Sequence, residues 1–132
     1  MQRSALPPYP AGYLAGVRLF NSGHYYEAHE ALEEVWRGCA KGSPERLFYQ
    51  ALIQIAAACL HRRRGRWRPA LLQYGRAMEK LDRLVQPVLL GMDLDALRTA
   101  AHATFTPITT NPQPPLPEPA PWQVAPPPAA GE

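Results

Sequence analysis

HYYEAHEALEEVW, residues 24–36, is the stretch of sequence that decides the fold. At helical spacing its apolar and aromatic positions fall on one face, which predicts an amphipathic helix packed against a core. The residues on that face are Tyr25, His29, Leu32 and Trp36. An imidazole therefore lies inside an otherwise apolar stripe. Glu33 follows His29 by one helical turn, and an acid and imidazole pair of this kind suits a metal site, a general base or a buried hydrogen-bond network.

The chain around this stretch predicts four further helices. Prolines at first helical positions, and glycine, serine or asparagine in the turns, separate the elements. The five predicted helices cover residues 10–21, 24–40, 44–64, 69–86 and 94–104. Short connections favour two antiparallel hairpins, and the last helix is short enough to cover one end of them. We therefore predict an all-α protein, a five-helix bundle of two helical hairpins plus a short capping helix.

Two segments of the chain share a pattern of glycine, aromatic and alanine at a constant offset of 42 residues. The matched sets are Gly23, Tyr25, Ala28 and Leu32, and Gly65, Trp67, Ala70 and Tyr74. The pattern resembles the turn and second helix of tetratricopeptide repeats, in which glycine allows the turn and alanine permits close helix crossing. Because the offset differs from the repeat period of about 34 residues, we interpret it as shared hairpin mechanics and not as a repeat array.

The third predicted helix is apolar on most of its surface and is expected to be central. Its polar groups lie in one line, formed by Leu47, Gln50, Gln54, Ala57 and His61. We expect this line to meet His29 and Glu33 of the preceding helix, because buried amides must find hydrogen-bond partners. The alternative is that the polar line faces solvent.

The composition changes sharply near Phe105, since ten of the 16 prolines lie at or after Pro107. We predict a flexible N-terminus (1–9), an all-helical domain (10–105) and a proline-rich, disordered tail (106–132). The Pro114–Pro119 segment has spacings that an aromatic groove could bind as polyproline II, although such tails also serve as spacers. Trp122 is the residue of the tail that we expect to bind to another apolar surface.

Charge and cysteine content limit the possible binding partners and the cellular compartment of the protein. The formal net charge of +3 permits contact with nucleic acid but does not demand it. Cys39 and Cys59 lie in helical apolar patterns, which indicates reduced thiols. No stretch is long and apolar enough for a signal peptide or a membrane span, so we expect a cytoplasmic protein without membrane contact.

Two segments carry a family resemblance. FNSGHYYEAHEALEEVW and RLFYQALIQIAAACLHRRRG resemble the domain-of-unknown-function 309 family over about residues 14–85. The family motif of histidine, two acids and a nearby tryptophan corresponds to His29, Glu33, Glu34 and Trp36, and its glutamines to Gln50 and Gln54. The resemblance implies a small all-helical cytoplasmic domain with no established activity.

One functional hypothesis is a metal or acid and base site. His29 and Glu33 offer ligand types that suit zinc, iron or manganese, and Glu30 lies beside them. Two helical ligands are few, however, and the second histidine of the zinc protease signature is missing. We therefore assign no catalytic residue and expect no cofactor, with a divalent metal at His29 and Glu33 as the alternative.

A second hypothesis is phosphate or nucleic-acid binding at the basic turn between the third and fourth helices. The arginines concerned are Arg62, Arg63, Arg64, Arg66 and Arg68. They could contact phosphates while Trp67 stacks on a base. Arginines at a helix end also suit the helix dipole, and Trp67 occupies a position expected to seal a hairpin.

The preferred hypothesis is a non-enzymatic interaction module that binds a protein or peptide partner, with a homodimer as one form of it. Its polar cluster comprises His29, Glu30, Glu33, Trp36, Gln50, Gln54 and His61. If these groups lock two helices in register, His29→Ala is expected to cost on the order of 1 to 3 kcal/mol.

Overall fold

The computed structural model describes residues 9–110 and 116–127. Within them the chain forms five helices and one short β-hairpin, so the all-α prediction is confirmed. The helices are α1 (Ala11–Asn21), α2 (Tyr25–Arg37), α3 (Pro44–Arg63), α4 (Trp67–Asp82) and α5 (Leu94–Thr110). Strands β1 (Val88–Leu89) and β2 (Met92–Asp93) pair antiparallel between α4 and α5. No helix in the described part of the chain is both long and apolar enough to cross a bilayer.

Helices α1 and α2 form a tight antiparallel pair. Gly23 has φ +80°, a left-handed conformation that glycine adopts without a side-chain clash, and it reverses the chain between them. Gly16 faces α2 so closely that a Cβ there would lie 2.6 Å from Leu32 Cγ. The absence of a side chain at Gly16 therefore sets the short distance between the two helices.

Helix α3 is the centre of the bundle and packs against both α2 and α4. The Ser43 hydroxyl caps its start by accepting a hydrogen bond from Arg46 N (3.2 Å), and Pro44 occupies the first turn. Phe48, Leu52 and Ile55 are completely buried along one side. The third helix is therefore central, as predicted, because these apolar residues form a buried side that packs in the core.

The second half of the bundle departs in detail from the sequence prediction. Helix α4 begins at Trp67, two residues earlier than expected, because the left-handed Gly65 completes the turn. Helix α5 passes through Pro107 and ends at Thr110, whereas the sequence predicted an end near 104. Buried Ile108 holds the turn after the proline against the core, which offsets the lost backbone hydrogen bond.

Residues 116–127, called the strap from here on, form neither helix nor strand and lie against the bundle. The sequence predicted a disordered tail over 106–132, whereas residues 106–110 belong to α5 and residues of the strap pack against the bundle. Trp122 is 5% exposed, so an apolar anchor outweighs the conformational entropy of a proline-rich segment. The high proline content of these residues disfavours helix and sheet, but it does not prevent the segment from packing against the bundle. The remaining positions of the predicted tail and N-terminus, 1–8, 111–115 and 128–132, lie outside the described residues.

The strap follows α5 backwards, from the end of α3 to the β-hairpin. Arg62 Nη2 donates a hydrogen bond to the Pro117 carbonyl near its start. Ala125 N donates to the Gly91 carbonyl (2.8 Å) near its end, and the Tyr9 hydroxyl donates to the Ala125 carbonyl (3.0 Å). Contacts along its whole length therefore fix the strap to the body.

Candidate functional site

The anchor of the strap is Trp122, which fills a groove between α1, α3 and α5. Its indole stacks on the Phe20 ring, with ring centroids 3.6 Å apart and planes within 2° of each other. The other side chains around this anchor groove are Ile55, Cys59, Ala101, Thr104 and Phe105. Aromatic stacking adds to the free energy of burying the indole. The anchor groove is therefore built for one large flat side chain.

Asn21, the last residue of α1, binds the backbone of Trp122 on both sides. Its Nδ2 donates to the Trp122 carbonyl (2.9 Å), and its Oδ1 accepts from the Trp122 amide (2.7 Å). A side-chain amide carries a donor and an acceptor on one planar neutral group, so it can satisfy both backbone groups of a residue at once. Asn21 therefore recognises an extended chain whatever side chain that chain carries.

Arg62 and Arg63 form a charged border at the other end of the groove. Arg62 is 8% exposed and donates to the Pro117 carbonyl. The Arg63 guanidinium lies 4.4 Å from the centre of the Tyr25 ring, a cation–π contact. Glu118 of the strap, which is exposed, lines a cavity of about 320 Å³ together with both arginines. The strap thus places its acid beside the two arginines.

Cys59 lies beneath the strap, between the anchor and the arginines. Burial raises the pKa of this thiol to about 12, although Arg62 and Arg63 oppose the shift. Because the thiolate is the reactive form, the closed groove holds Cys59 as an inert neutral thiol. Cys59 is therefore a chemical reporter of whether the groove is covered.

The polar groups predicted between α2 and α3 do not form the expected network. Among the described residues no hydrogen bond joins His29 to Glu33, Gln50 or Gln54. Glu33 is instead paired with Arg37 (3.1 Å) on the exposed side of α2. An i, i+4 partner on its own helix is nearer to Glu33 than the amides of α3, and water keeps that surface pair solvated.

Three polar atoms along this α2–α3 line are buried without a hydrogen-bond partner in the described part of the chain. They are Trp36 Nε1, Gln54 Oε1 and His61 Nδ1. Trp36 also lies under the Arg46 guanidinium, which is 4.4 Å from the ring centre. Burial lowers the pKa of His61, and the nearby positive charges of Arg66 and Arg64 lower it further. His61 is therefore held neutral beside the basic turn.

The predicted metal ligands lie on the partly exposed surface of α2. His29 is half-buried, Glu30 is exposed, and Glu33 is paired with Arg37. Within residues 9–110 and 116–127 no three histidine, cysteine, aspartate or glutamate side chains come together as a metal site. A metal at His29 and Glu33 stays a prediction.

The predicted phosphate-binding arginines divide into two groups. Arg62 contacts the strap and Arg63 contacts Tyr25, so both face the anchor groove. The other three, Arg64, Arg66 and Arg68, are exposed. Trp67 is half-buried against the core, as its position in the hairpin predicted.

A shallow cleft between α4 and α5 contains residues that the sequence reasoning did not select. The Tyr74 hydroxyl and His102 Nδ1 are 2.7 Å apart, and the Tyr74 ring stacks on Phe105. Burial, followed by the negative charge of Asp82, raises the pKa of Tyr74. Arg98 lies at one end and binds Asp82 and Asp95. The sequence feature that could have pointed to this cleft is His102, which lies on the exposed side of the last predicted helix.

Comparison with protein-family models gives a match to a domain of unknown function (DUF309) over residues 13–82. That span covers more than half of the chain. The chain belongs to the DUF309 family. No curated protein matches it.

The boundary of the DUF309 match divides the anchor groove. Phe20, Asn21, Cys59 and Arg62 lie inside the match, whereas α5 and the strap lie beyond its end at residue 82. The DUF309 region thus supplies the α1 and α3 sides of the groove, and the following residues supply its α5 side, the Gly91 contact and the strap itself.

Proposed function

We propose that this DUF309 protein is a non-enzymatic interaction module that binds an extended polypeptide segment in the anchor groove. The observation that carries the proposal is the double hydrogen bond between Asn21 and the Trp122 backbone. Extended peptides are commonly recognised by main-chain hydrogen bonds for affinity and by side-chain pockets for specificity. Asn21 supplies the first element, and the stack on Phe20 supplies the second.

The side chains of the groove favour binding over chemistry. Cys59 is the one thiol near the anchor, and burial keeps it protonated. Arg62 is used to bind a carbonyl, and Arg63 is held on Tyr25. These are recognition contacts, in which each group acts by position and charge without transferring a proton or electrons.

The test uses a fluorescein-labelled peptide with the sequence of residues 116–127, LPEPAPWQVAPP. The protein is the full chain carrying Trp122→Ala, which weakens the strap, and Cys39→Ala, which leaves Cys59 as the single thiol. Saturable binding measured by fluorescence anisotropy is expected. Bound peptide is also expected to slow maleimide labelling of Cys59, which would locate the peptide in the anchor groove.

The matched control adds Asn21→Ala to the same protein and should weaken peptide binding about tenfold, since two hydrogen bonds are removed. If circular dichroism shows that Trp122→Ala does not fold, Trp122→Leu replaces it, because leucine keeps an apolar anchor without the stack. A folded variant that binds no peptide, or that binds it without protecting Cys59, would contradict the proposal.

Phosphate binding at the basic turn is the second proposal, and exposed Arg64, Arg66 and Arg68 favour it. Retention of the protein on heparin that falls with salt, and that is lost when all three are changed to Gln, is the expected result. Retention equal to that of the variant would remove this proposal.

A further inference from the structure

Resting on the proposed function, we infer what kind of partner the anchor groove selects. It selects a partner protein's extended segment in which prolines alternate with other residues and an acid precedes an anchoring tryptophan by four positions. The strap of this chain is the internal competitor for that partner. It covers the groove until such a segment displaces it.

The position of the acid follows from charge complementarity. Glu118 is the one charged residue in the strap sequence, and it lines the cavity bordered by Arg62 and Arg63 at an exposed position. It forms no ion pair with either arginine among the described residues, so its attraction to the two guanidinium groups acts at longer range and is weakened by salt. An acid four positions before the anchor therefore favours binding, and a base at that position opposes it.

The prolines satisfy a second requirement of the groove. Pro117, Pro119 and Pro121 alternate with other residues up to the anchor. Each proline favours an extended backbone in advance of binding and removes an amide donor that the groove would otherwise have to satisfy. The Trp122 amide is the donor that Asn21 uses. A segment without prolines would lose more conformational freedom on docking.

The anchor sets the third requirement. Trp122 is buried between Phe20 and the core, and the planar stack needs a large flat ring. Residues that anchor interfaces in this way carry most of the binding free energy. A partner segment with alanine at that position is therefore expected to bind at least about a hundredfold more weakly.

Because the strap occupies the groove, it competes with any partner segment and lowers the apparent affinity for that segment. A tethered segment competes at an effective concentration on the order of millimolar. A free partner segment must exceed that competition, so binding to the unchanged chain is expected to be at least about tenfold weaker than binding to the Trp122→Ala chain. The ratio of the two affinities measures how strongly the strap covers the groove.

The experiment measures binding of a peptide series to the full chain and to its Trp122→Ala variant. The series is the 116–127 peptide, its Glu118→Gln and Glu118→Lys forms, and its Trp122→Phe and Trp122→Ala forms. At low salt we expect Glu118→Gln to weaken binding about threefold to fivefold and Glu118→Lys about tenfold, with both losses reduced in high salt. The protein variant Arg63→Glu should reverse the preference between the glutamate and lysine peptides.

The outcomes separate this inference from the proposed function. If the unchanged peptide binds neither protein, the proposed function fails as well. If it binds but the Glu118 and Trp122 forms bind equally well, or if both proteins bind it equally, the inference alone is overturned. If light scattering shows that the unchanged chain forms a dimer that Trp122→Ala abolishes, the partner is a second copy, and the inference of a separate partner is overturned. Should Trp122→Ala not fold, Trp122→Leu provides the weakened strap.

Discussion

The Trp122 indole lies flat on the Phe20 ring, with 3.6 Å between the ring centroids. One ring belongs to the first helix and the other to the strap near the far end of the described chain. The stack therefore joins a segment outside the DUF309 match to a helix inside it. Stability measurements on Trp122 and on Asn21, which binds its backbone, test whether the strap is part of the folded structure.

Trp122→Ala is expected to lower the free energy of unfolding by about 2 to 4 kcal/mol, measured by urea denaturation. Truncation of a buried tryptophan usually costs about 3 to 5 kcal/mol, and local detachment of the strap limits the loss here. Trp122→Phe, which can keep the stack, should cost clearly less. A midpoint unchanged by Trp122→Ala would show that the strap is not docked in solution.

Asn21→Ala should destabilise the docked strap by about 1 to 2 kcal/mol because it removes both hydrogen bonds to Trp122. Hydrogen exchange of the Trp122 amide should become faster in this variant. Ser22→Ala is the matched control, because the Ser22 hydroxyl donates to the Arg18 carbonyl of α1 and makes no hydrogen bond to the strap within the described residues. Equal exchange rates in the two variants would argue against the double hydrogen bond.

His29→Ala is expected to cost less than about 1 kcal/mol, because His29 is half-buried and makes no hydrogen bond within the described residues. Leu32→Ala on the same helix is the comparison, and its complete burial predicts a loss of about 3 to 5 kcal/mol. A loss of 1 to 3 kcal/mol for His29→Ala would instead support the polar network expected from the sequence.

Stability should fall as the pH rises above about 9. Burial raises the pKa of Cys59 to about 12, and burial also raises the pKa values of Tyr13 and Tyr49. The unfolded chain releases these protons at lower pH than the folded chain does, so ionisation favours unfolding. The slope approaches about 1.4 kcal/mol per pH unit for each such group.

Urea denaturation between pH 8 and pH 11 measures this slope. Cys59→Ala should reduce it, whereas Cys39→Ala, which leaves the three buried groups in place, should change it much less. A free energy of unfolding that stays constant up to pH 11 would mean that these groups ionise in the folded protein.

The helices were predictable because their signals are local. The glycine turn at Gly23, the cap at Ser43 with Pro44, and the spacing of apolar residues all act within a few residues of the helix they define. Starts agree within about two residues. The early end of α2 coincides with Gly38 at its C-cap, a local signal that the predicted end near residue 40 passed over. The long α5 depends on the packing of Ile108 against the core, which spacing along the sequence does not contain.

The groove was less accessible to sequence reasoning because its contacts are non-local. Asn21 reads as a turn residue and Trp122 as an isolated aromatic in a proline-rich tail, and their hydrogen bonds span 101 residues. Glu33 illustrates the opposite error, in which a local pattern suggested a long-range contact that the structure does not contain. Its helical position suggested an inward network, but Arg37 on the next turn offers a partner without desolvation.

The contact of Tyr9 and Gly91 with Ala125 has a mechanical consequence. One hydrogen bond at Ala125 connects Tyr9, which precedes the first helix, to the last part of the strap, and the other connects the strap to Gly91 of the β-hairpin. A force that pulls residue 9 away from residue 125 would act on these few bonds before it acted on any helix. The strap would then peel from the β-hairpin towards Trp122, so tension offers a way to uncover the groove while the bundle stays folded.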